Sequence, residues 1–450
     1  MKDDLAKQLA DHVRGRIIEP GDAAYDGARA TFNGMVDHRP RLIVRAVDTA
    51  DVAALVRATA ELELPLAIRG GGHSVAGHSM PADAVVIDLS SMRGVTVDPT
   101  SATAEALGGS LLMDLDVATA ARGMAVPSGT FFDTGVGGLT LSGGISYLVA
   151  SEGFACDALI GAELVTADGS IIQVDEAGEP DLLWALRGGG GNFGVVTRLR
   201  YRLTKVDRMY GGVLRFRGDG VADALERLFE LDRSAPDELS LQAVAWHSAE
   251  TGSAALTIIV AWRGDPERGA AAVRPLRDHP ALYEDDVHAM SWLQLQANNT
   301  PIPFGLRHYW KGHFVRETTP ALAGAILAAG ATAGEEDGVL VELIHGRAHR
   351  IPAESAAFGG RPAHANVTAL AIWSEAADDD QHIAWARASA ASFEPHSLSG
   401  GGYLNYPEID QSSARVAAAF GPAAFSRLQA IKRRHDPTNR FRFNGNIPPW

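Results

Sequence analysis

Residues 69–78 read RGGGHSVAGH, and this stretch decides how the rest of the chain is interpreted. It follows residues 66–69, an apolar segment that predicts a short strand. Three successive glycines after a strand allow positive φ angles and let a ligand approach the backbone closely, and consecutive amides in such a turn suit a pyrophosphate. The spacing fits neither a P-loop nor the Rossmann fingerprint. A tight structural turn without a ligand is the alternative.

Two further glycine clusters follow along the chain. Residues 126–144 read VPSGTFFDTGVGGLTLSGG, and residues 186–197 read LRGGGGNFGVVT. Glycine supplies 48 of the 450 residues, which is above its usual share. Each cluster alone could be a structural loop. A mononucleotide would need only one such loop, so three of them indicate one large and extended cofactor.

The composition is that of a globular protein and excludes several partners. Hydrophobic residues make up 46% of the chain and charged residues 21%, and the net charge is -15. A surface this acidic repels nucleic acid phosphates and anionic lipids, so we expect neither nucleic acid nor a membrane as a partner. The single cysteine, Cys156, excludes an intramolecular disulfide and an all-cysteine metal site.

No stretch reaches the ~18 consecutive apolar residues of a membrane helix, and the start of the chain is polar, so we predict a cytoplasmic protein. His345 and His349 have the i, i+4 spacing of a metal pair, but they follow a predicted strand and Gly346 stands where a zinc-protease motif needs glutamate. We therefore predict no metal site. The sequence contains no Gly-x-Ser-x-Gly elbow, so it does not support a hydrolase with a serine nucleophile.

The pattern of predicted strands, helices and glycine clusters changes near residue 205. Before it, short apolar strands alternate with the glycine clusters. After it, longer strands alternate with alanine-rich helices, until glycines cluster again at residues 400–402. We expect three segments: a cofactor domain over residues 1–205, a substrate domain over 206–400, and a return to the first domain over 401–450.

Several motifs, taken in order, resemble one known family. They are RGGGHS (69–74), VVIDLS (85–90), PSGTxxxxGVGGLTLSGG (127–144), LVTADGS (164–170), DLLWALRGGGGNFGVVT (181–197), YLNYPE (403–408) and HDPTNRFRFNGNIPP (435–449). Together they resemble the berberine bridge enzyme-like FAD-linked oxidases of the vanillyl-alcohol oxidase superfamily. The resemblance implies an α+β fold, with a split FAD-binding domain of two α+β subdomains and an antiparallel-sheet substrate domain backed by helices.

The resemblance also implies roles for individual residues. His73 matches the histidine that carries FAD through the flavin 8α-methyl group. The implied pyrophosphate contacts are Arg69, Gly70, Gly71, Gly72, Ser74, Gly77 and His78. The implied contacts to the isoalloxazine and ribityl chain are Ser128, Gly129, Gly135, Gly137, Gly138, Leu141 and Gly143, and those near the adenine are Val195 and Val196. Phe131 stands where bicovalent members carry cysteine, so we expect a single link and interpret Cys156 as a small buried residue.

Tyr403 matches the family tyrosine over the flavin, and we expect it to act as a base or hydrogen-bonding group with Asn405 beside it. The alternative is that Tyr403 only packs on the flavin. Residues 306–315, LRHYWKGHFV, predict a strand whose aromatic and basic side chains alternate between two faces. We expect substrate contacts from Tyr309, Trp310, Lys311 and His313, with a solvated sheet face as the alternative.

The implied function is that of an FAD-dependent oxidase. It would transfer a hydride from an alcohol or amine carbon of a small molecule, a natural product or nitrogenous compound, to flavin N5, and O2 would reoxidise the flavin to give hydrogen peroxide. The alternatives are a dehydrogenase of the same fold, a flavoprotein that oxidises oligosaccharides, and a flavin carrier or sensor without turnover. The sequence does not fix the oligomeric state, and a homodimer is compatible with it.

Overall fold

The computed structural model describes residues 2–299 and 302–450. The chain begins with a small sheet in the order β1-β2-β4-β3, in which β2 and β3 both run parallel to β4 and β1 runs antiparallel to β2. Asp48 caps the helix Thr49–Glu61 by accepting a hydrogen bond from the Asp51 amide at 3.0 Å. The elements are α1 (Lys2–Ala10), β1 (Arg16–Ile18), α2 (Tyr25–Arg29), β2 (Leu42–Arg45), α3 (Thr49–Glu61), β3 (Leu66–Arg69) and β4 (Val85–Asp88).

A second sheet, entirely antiparallel, has the order β5-β6-β10-β8-β9, and β11 pairs with the short β7. Its elements are β5 (Val95–Asp98), β6 (Thr103–Leu107), α4 (Leu112–Ala120), β7 (Met124–Ala125), α5 (Val136–Leu141), α6 (Val149–Glu152), α7 (Ala155–Ala158), β8 (Leu159–Val165), β9 (Ile171–Asp175), α8 (Pro180–Leu186), β10 (Val195–Arg202) and β11 (Thr204–Lys205).

The glycine-rich composition of the second cluster suggests a loop throughout. The structure differs, because residues Val136–Leu141 of this cluster form the helix α5. Val136 and Leu141 are buried there in the core of the second sheet. Tertiary packing of this kind outweighs the low helix propensity of glycine.

The third sheet is large and antiparallel, in the order β15-β12-β14-β13-β18-β19-β17, with β16 also pairing with β12. Helices α9, α13 and α15 pack on one face and form the largest apolar core with it. Its elements are β12 (Met209–Phe216), α9 (Val221–Ser234), β13 (Leu239–Ser248), β14 (Ser253–Arg263), α10 (Pro266–Ala272), α11 (Arg274–Arg277), β15 (Leu282–Asp285), β16 (His288–Met290), α12 (Trp292–Ala297), β17 (Arg307–Val315), α13 (Pro320–Ala331), β18 (Gly338–Leu343), α14 (Arg347–Arg350), β19 (Ala365–Trp373) and α15 (Asp379–Phe393).

The end of the chain carries α16 (Ser413–Phe420) and α17 (Pro422–His435), which join the core of the second sheet. Lys432 is fully buried, and its Nζ donates to Asp436 Oδ2 at 2.6 Å and to the carbonyls of Asn192 and Phe441. A buried charge is tolerated when it is paired and hydrogen-bonded in this way. The hydrogen bond from Lys432 Nζ to the Asn192 carbonyl fastens the last segment to the third glycine cluster. The boundaries at residues 205 and 400 stay a prediction.

Among the described residues, no helix is both long and apolar enough to cross a bilayer.

Candidate active site

The three glycine clusters line one elongated cavity. The first contributes Gly70, Gly71, Gly72, His73, Ser74 and His78; the second Gly129, Gly135, Gly137, Gly138 and Leu141; and the third Gly189, Gly190, Gly191, Val195 and Val196. The clusters come from the ends of β3 and β10 and from the N-terminal end of α5. The fold therefore brings together segments that are far apart in the sequence.

The first two clusters touch through their backbones. A Cβ atom on Gly71 would lie 2.5 Å from the Gly135 amide nitrogen and 2.7 Å from Gly135 Cα. No side chain fits between these strands of backbone, so both positions need glycine. The contact gives the cavity a continuous wall of peptide groups, which we call the glycine wall.

His73 lies on this wall in a fixed orientation. Its ring stacks on Phe32 with the centroids 4.0 Å apart, and Phe32 stacks in turn on His308 at 4.2 Å. His73 Nε2 lies 3.4 Å from Asp133 Oδ1. Burial lowers the pKa of His308 to about 3, so this histidine is neutral at physiological pH. Sequence analysis missed Phe32, whose only sequence signal is its aromatic ring. His308 lies in the predicted strand 306–315, on the same face as Trp310. Sequence analysis also missed Asp133, which stands inside the second cluster.

Several polar atoms along the cavity are buried and have no partner among the described residues. They are Ser74 Oγ, Ser79 Oγ, Trp310 Nε1 and Asn444 Oδ1. Burial also lowers the pKa of His78 to about 4, which leaves a neutral imidazole in the same wall. Buried polar groups are normally hydrogen-bonded, so these atoms call for a long polar ligand. Together with the peptide groups of the glycine wall, they fit FAD.

Four of the expected cofactor contacts are not among the residues that line the cavity. Arg69 Nη1 donates to the carbonyls of Ala28 and Ala30, and Ser128 Oγ points to Asp116. Gly77 and Gly143 face other side chains: a Cβ there would lie 2.6 Å from atoms of Val36 and of Phe358 respectively. For Arg69, Gly77, Ser128 and Gly143, contact with the cofactor therefore stays a prediction.

The opposite wall of the cavity is made of side chains, and we call it the sheet wall. It includes Trp310 from β17, Leu340 from β18, Leu370 from β19 and Tyr406. Trp310, Leu340 and Leu370 lie on the face of the large sheet that is not covered by α9, α13 and α15. Tyr406 comes from the C-terminal segment and packs edge-on against Trp310, with the ring centroids 5.3 Å apart. The cavity therefore lies between a polar backbone surface and a largely apolar side-chain surface.

Tyr309, Lys311 and His313 lie on the other face of β17, so the prediction that they contact substrate is corrected. Tyr309 belongs to the helix-covered core, and its hydroxyl donates to Asp410 at 2.9 Å. Lys311 pairs with Glu408, and His313 Nδ1 lies 3.2 Å from Ser397 Oγ. Alternate side chains of a strand point to opposite faces, so the position of Trp310 at the cavity turns these three away.

Tyr403 and Asn405 both line the cavity and contact each other. The Tyr403 hydroxyl accepts three hydrogen bonds, from the amides of Gly144 at 2.9 Å and Ile145 at 3.0 Å and from Asn405 Nδ2 at 2.9 Å. Burial and the neighbouring Glu342 raise the pKa of Tyr403, against the lowering effect of the three donors. Tyr403 is thus a phenol at neutral pH, anchored where the second glycine cluster meets the C-terminal segment.

Glu342 on β18 is a functional candidate that sequence analysis missed. Its side chain is buried; Oε1 accepts a hydrogen bond from Tyr406 Oη at 3.1 Å, and Oε2 accepts one from Asn366 Nδ2 at 2.7 Å. Burial raises the pKa of Glu342 to about 7, although both donors lower it. Its sequence signal is that it is the one charged residue in the apolar run VLVELI (339–344). A carboxyl group with this pKa can exchange protons near neutral pH.

A second covalent link to FAD would need a cysteine at the cavity, and Cys156 does not lie there. Phe131 lines the cavity, whereas Cys156 is fully buried in an apolar cluster with Phe154. Burial raises the pKa of Cys156 well above its usual value. Cys156 is thus the small buried residue that the sequence predicts. In the part of the chain that the structure describes, no group of three His, Cys, Asp or Glu side chains is arranged to hold a metal ion.

Comparison with protein families identifies two segments. The family description "FAD binding domain" matches residues 40–175, and "Berberine and berberine like" matches residues 402–448. The (R)-6-hydroxynicotine oxidase of Paenarthrobacter nicotinovorans is 30% identical to this chain over 469 aligned positions, covering 100% of this chain and 99% of that protein.

Solved structures give the same result. 6-hydroxy-D-nicotine oxidase from Arthrobacter nicotinovorans superposes with a TM-score of 0.91 at 28% identity, over 97% of this chain and 98% of that one. Xylooligosaccharide oxidase from Myceliophthora thermophila superposes with a TM-score of 0.89 at 21% identity, over 99% of each chain, and this likeness shows the fold alone. The predicted α+β fold class and the resemblance to the vanillyl-alcohol oxidase superfamily are confirmed. The chain therefore belongs to the berberine bridge enzyme-like family and is an FAD-linked oxidoreductase.

Proposed function

We propose that this enzyme is an oxidase that removes a hydride from an alcohol or amine carbon of a small, mostly apolar molecule and reduces O2 to hydrogen peroxide. One observation carries the proposal. Tyr406, on the wall that faces the glycine clusters, donates a hydrogen bond to the buried carboxylate of Glu342 behind it. A substrate between the two walls would meet the cofactor on one side and a proton acceptor on the other.

The glycine wall is the proposed binding surface for FAD. When bound, FAD accepts the hydride at N5 and delivers the electrons to O2. We propose that His73 holds it through a single covalent link. His73 lies on the wall with its ring fixed by Phe32, and Phe131 provides no thiol for a second link.

Tyr406 and Glu342 are the proposed route for the proton. Tyr406 lines the cavity and donates its own hydrogen to Glu342 Oε1, so its oxygen can accept a proton from a substrate O–H or N–H while its hydrogen passes to the carboxylate. Glu342, with a pKa raised to about 7, is partly ionised at neutral pH and can receive this proton. Tyr406 therefore passes a proton without remaining ionised, which its buried position disfavours.

Tyr403 and Asn405 are proposed to hold the site together and to contact the flavin. The Tyr403 oxygen already accepts three hydrogen bonds, and burial raises its pKa, so it is a poorer proton acceptor than Glu342. Asn405 Nδ2 also donates to the Leu139 carbonyl at 3.0 Å, which ties the C-terminal segment to α5.

The sheet wall favours a compact nitrogenous substrate over an oligosaccharide. Its cavity-lining side chains Trp310, Leu340 and Leu370 are apolar or aromatic, and behind them lies one buried carboxylate, Glu342. A sugar chain carries many hydroxyl groups, and each would need a partner, whereas Trp310 Nε1 is the single polar atom among these three side chains. A single amine or hydroxyl on an apolar molecule has its partner in the Glu342–Tyr406 pair. A relative named for 6-hydroxynicotine supports this preference.

Anaerobic reduction tests the proposal. Purified yellow enzyme is mixed without O2 with a panel of heterocyclic amines, benzylic alcohols and oligosaccharides, and bleaching of the flavin band is recorded. We expect an amine or alcohol to bleach the band and admission of O2 to restore it with one equivalent of hydrogen peroxide. Restoration only by a dye acceptor would indicate a dehydrogenase, bleaching only by oligosaccharides would contradict the substrate class, and no bleaching would indicate a carrier or sensor.

A further inference from the structure

Asp133 and His73 meet where the first two glycine clusters touch. His73 Nε2 lies 3.4 Å from Asp133 Oδ1, and the two side chains are only 14% and 22% exposed. Asp133 Oδ1 is buried and has no hydrogen-bond partner among the described residues. This oxygen therefore lies opposite one ring nitrogen of His73 with no competing partner.

Two aromatic side chains also contact the His73 ring and hold its orientation. Phe32 covers one face with an interplanar angle of 17°, and Phe304 meets the ring edge-on with the centroids 5.9 Å apart. Stacking keeps the imidazole in one plane but does not choose which nitrogen carries the hydrogen. A carboxylate beside Nε2 makes that choice, because it stabilises a hydrogen on Nε2.

We propose that Asp133 is the positioning residue for covalent attachment of FAD to His73. Its carboxylate, 3.4 Å from Nε2, stabilises the tautomer that carries the hydrogen on Nε2, which leaves the lone pair on Nδ1 free to form the bond. The inference rests on the proposed function, since it takes FAD in the cavity and His73 as the point of attachment. It adds a residue that no motif of the sequence identifies.

The attachment step balances with O2 as the oxidant. A bond forms between His73 Nδ1 and the flavin 8α carbon, and one C–H bond of the 8α-methyl group breaks. The two electrons of that bond reduce the isoalloxazine ring, which also takes up the methyl proton and the Nε2 proton released by way of Asp133. O2 then accepts two electrons and two protons and leaves as hydrogen peroxide. Asp133 stabilises the positive charge that the imidazole acquires while the new bond forms.

The test measures covalent attachment rather than turnover. FAD-free protein, produced under riboflavin limitation, is mixed with FAD in air, and samples are precipitated with acid over time to measure the flavin that stays with the chain. Binding before attachment is measured separately by quenching of flavin fluorescence. The variants are Asp133→Asn, Asp133→Glu and His73→Ala. Asp114→Asn is the matched control, because Asp114 pairs with Arg93 and caps α4 without lining the cavity.

We expect Asp133→Asn to bind FAD with unchanged affinity but to attach it about 100-fold more slowly, at the low end of what a positioned proton acceptor contributes. Asp133→Glu restores most of the rate, and Asp114→Asn matches the unmodified chain. Attachment at the unmodified rate in Asp133→Asn, a parallel loss of FAD binding, or a bond to Nε2 would each overturn the inference. If the unmodified chain retains no flavin in acid, the covalent link to His73 is absent and the proposed function is wrong on this point. An attachment rate unaffected by Asp133→Asn would instead overturn only the role of Asp133.

Discussion

The two walls of the cavity are built on opposite principles. The glycine wall presents peptide groups and almost no side chains, and its closest contact is the backbone of Gly71 against that of Gly135. The sheet wall presents Trp310, Leu340, Leu370 and Tyr406, with the carboxylate of Glu342 behind them. The first wall suits a ligand common to many enzymes, and the second suits one particular substrate. The difference indicates that cofactor binding and substrate choice can be altered separately.

The largest effect should come from the sheet wall. Replacing Glu342 by glutamine removes the proposed proton acceptor but keeps a hydrogen-bonding side chain, so we expect kcat/KM to fall roughly 10²- to 10⁴-fold. In the unmodified enzyme, kcat/KM should rise with pH and level off above about 7, where Glu342 is ionised. The variant should lose this limb of the profile while it retains a full complement of flavin.

Glu284→Gln is the control for that experiment. Glu284 lies on β15, at the edge of the same sheet, where it pairs with Arg215 in an exposed position. It should leave both the rate and the pH profile unchanged. An unchanged pH limb in Glu342→Gln would mean that the proton has another acceptor.

The next effect should come from the closest contact of the glycine wall. Gly71→Ala places a Cβ against the Gly135 backbone, and overpacking of this kind costs about 3 kcal/mol at the upper end of its range. We expect a lower Tm and protein that is purified largely without flavin. Gly138→Ala is the matched variant, since no atom lies within 4 Å of the added Cβ. That Cβ fills cavity space, so the fold should persist while FAD affinity drops; equal losses of Tm in both variants would refute the distinction.

A smaller effect is expected at the junction of the two walls. Tyr403→Phe leaves the amides of Gly144 and Ile145 buried without an acceptor, which should lower the free energy of unfolding by about 2 kcal/mol. Tyr406→Phe leaves Glu342 bonded to Asn366, so it should affect the rate more than the stability. Chemical denaturation compared with steady-state kinetics measures both. The reverse order of effects would show that Tyr403, rather than Tyr406, carries the proton.

The smallest effect is expected far from the cavity. Gly324 lies exposed within α13, with no atom within 4 Å of an added Cβ. Gly324→Ala should raise the free energy of unfolding by about 0.5–1 kcal/mol, because alanine is the better helix former. Flavin content and kcat should not change. A loss of stability there would show that glycine is needed outside the glycine wall as well.

The sequence alone predicts the glycine wall better than the sheet wall. The glycine clusters identify a cofactor surface because close backbone approach needs glycine locally, and the cavity includes most of the residues expected from them. The sequence could not show the hydrogen-bond partners of Arg69 and Ser128. These partners, Ala28, Ala30 and Asp116, are brought into contact only by the tertiary fold.

The sheet wall depends on choices that strand periodicity leaves open. Alternation along β17 separates Trp310 from Tyr309 but does not say which of them faces the cavity. Packing decides it, since Tyr309 bonds to Asp410, about a hundred residues further along the chain. Glu342 was missed because a lone glutamate in an apolar strand is recognised only when the strand's neighbours are known.

The central proposal for this enzyme is a single FAD held through His73. Intact-mass measurement of the denatured protein, together with flavin fluorescence in a denaturing gel, tests it for the unmodified chain and for His73→Ala. We predict that the unmodified chain carries the added mass and fluorescence of one FAD and that His73→Ala carries neither, although it binds FAD before denaturation. A denatured unmodified chain without flavin, or a His73→Ala chain that keeps it, would contradict the account.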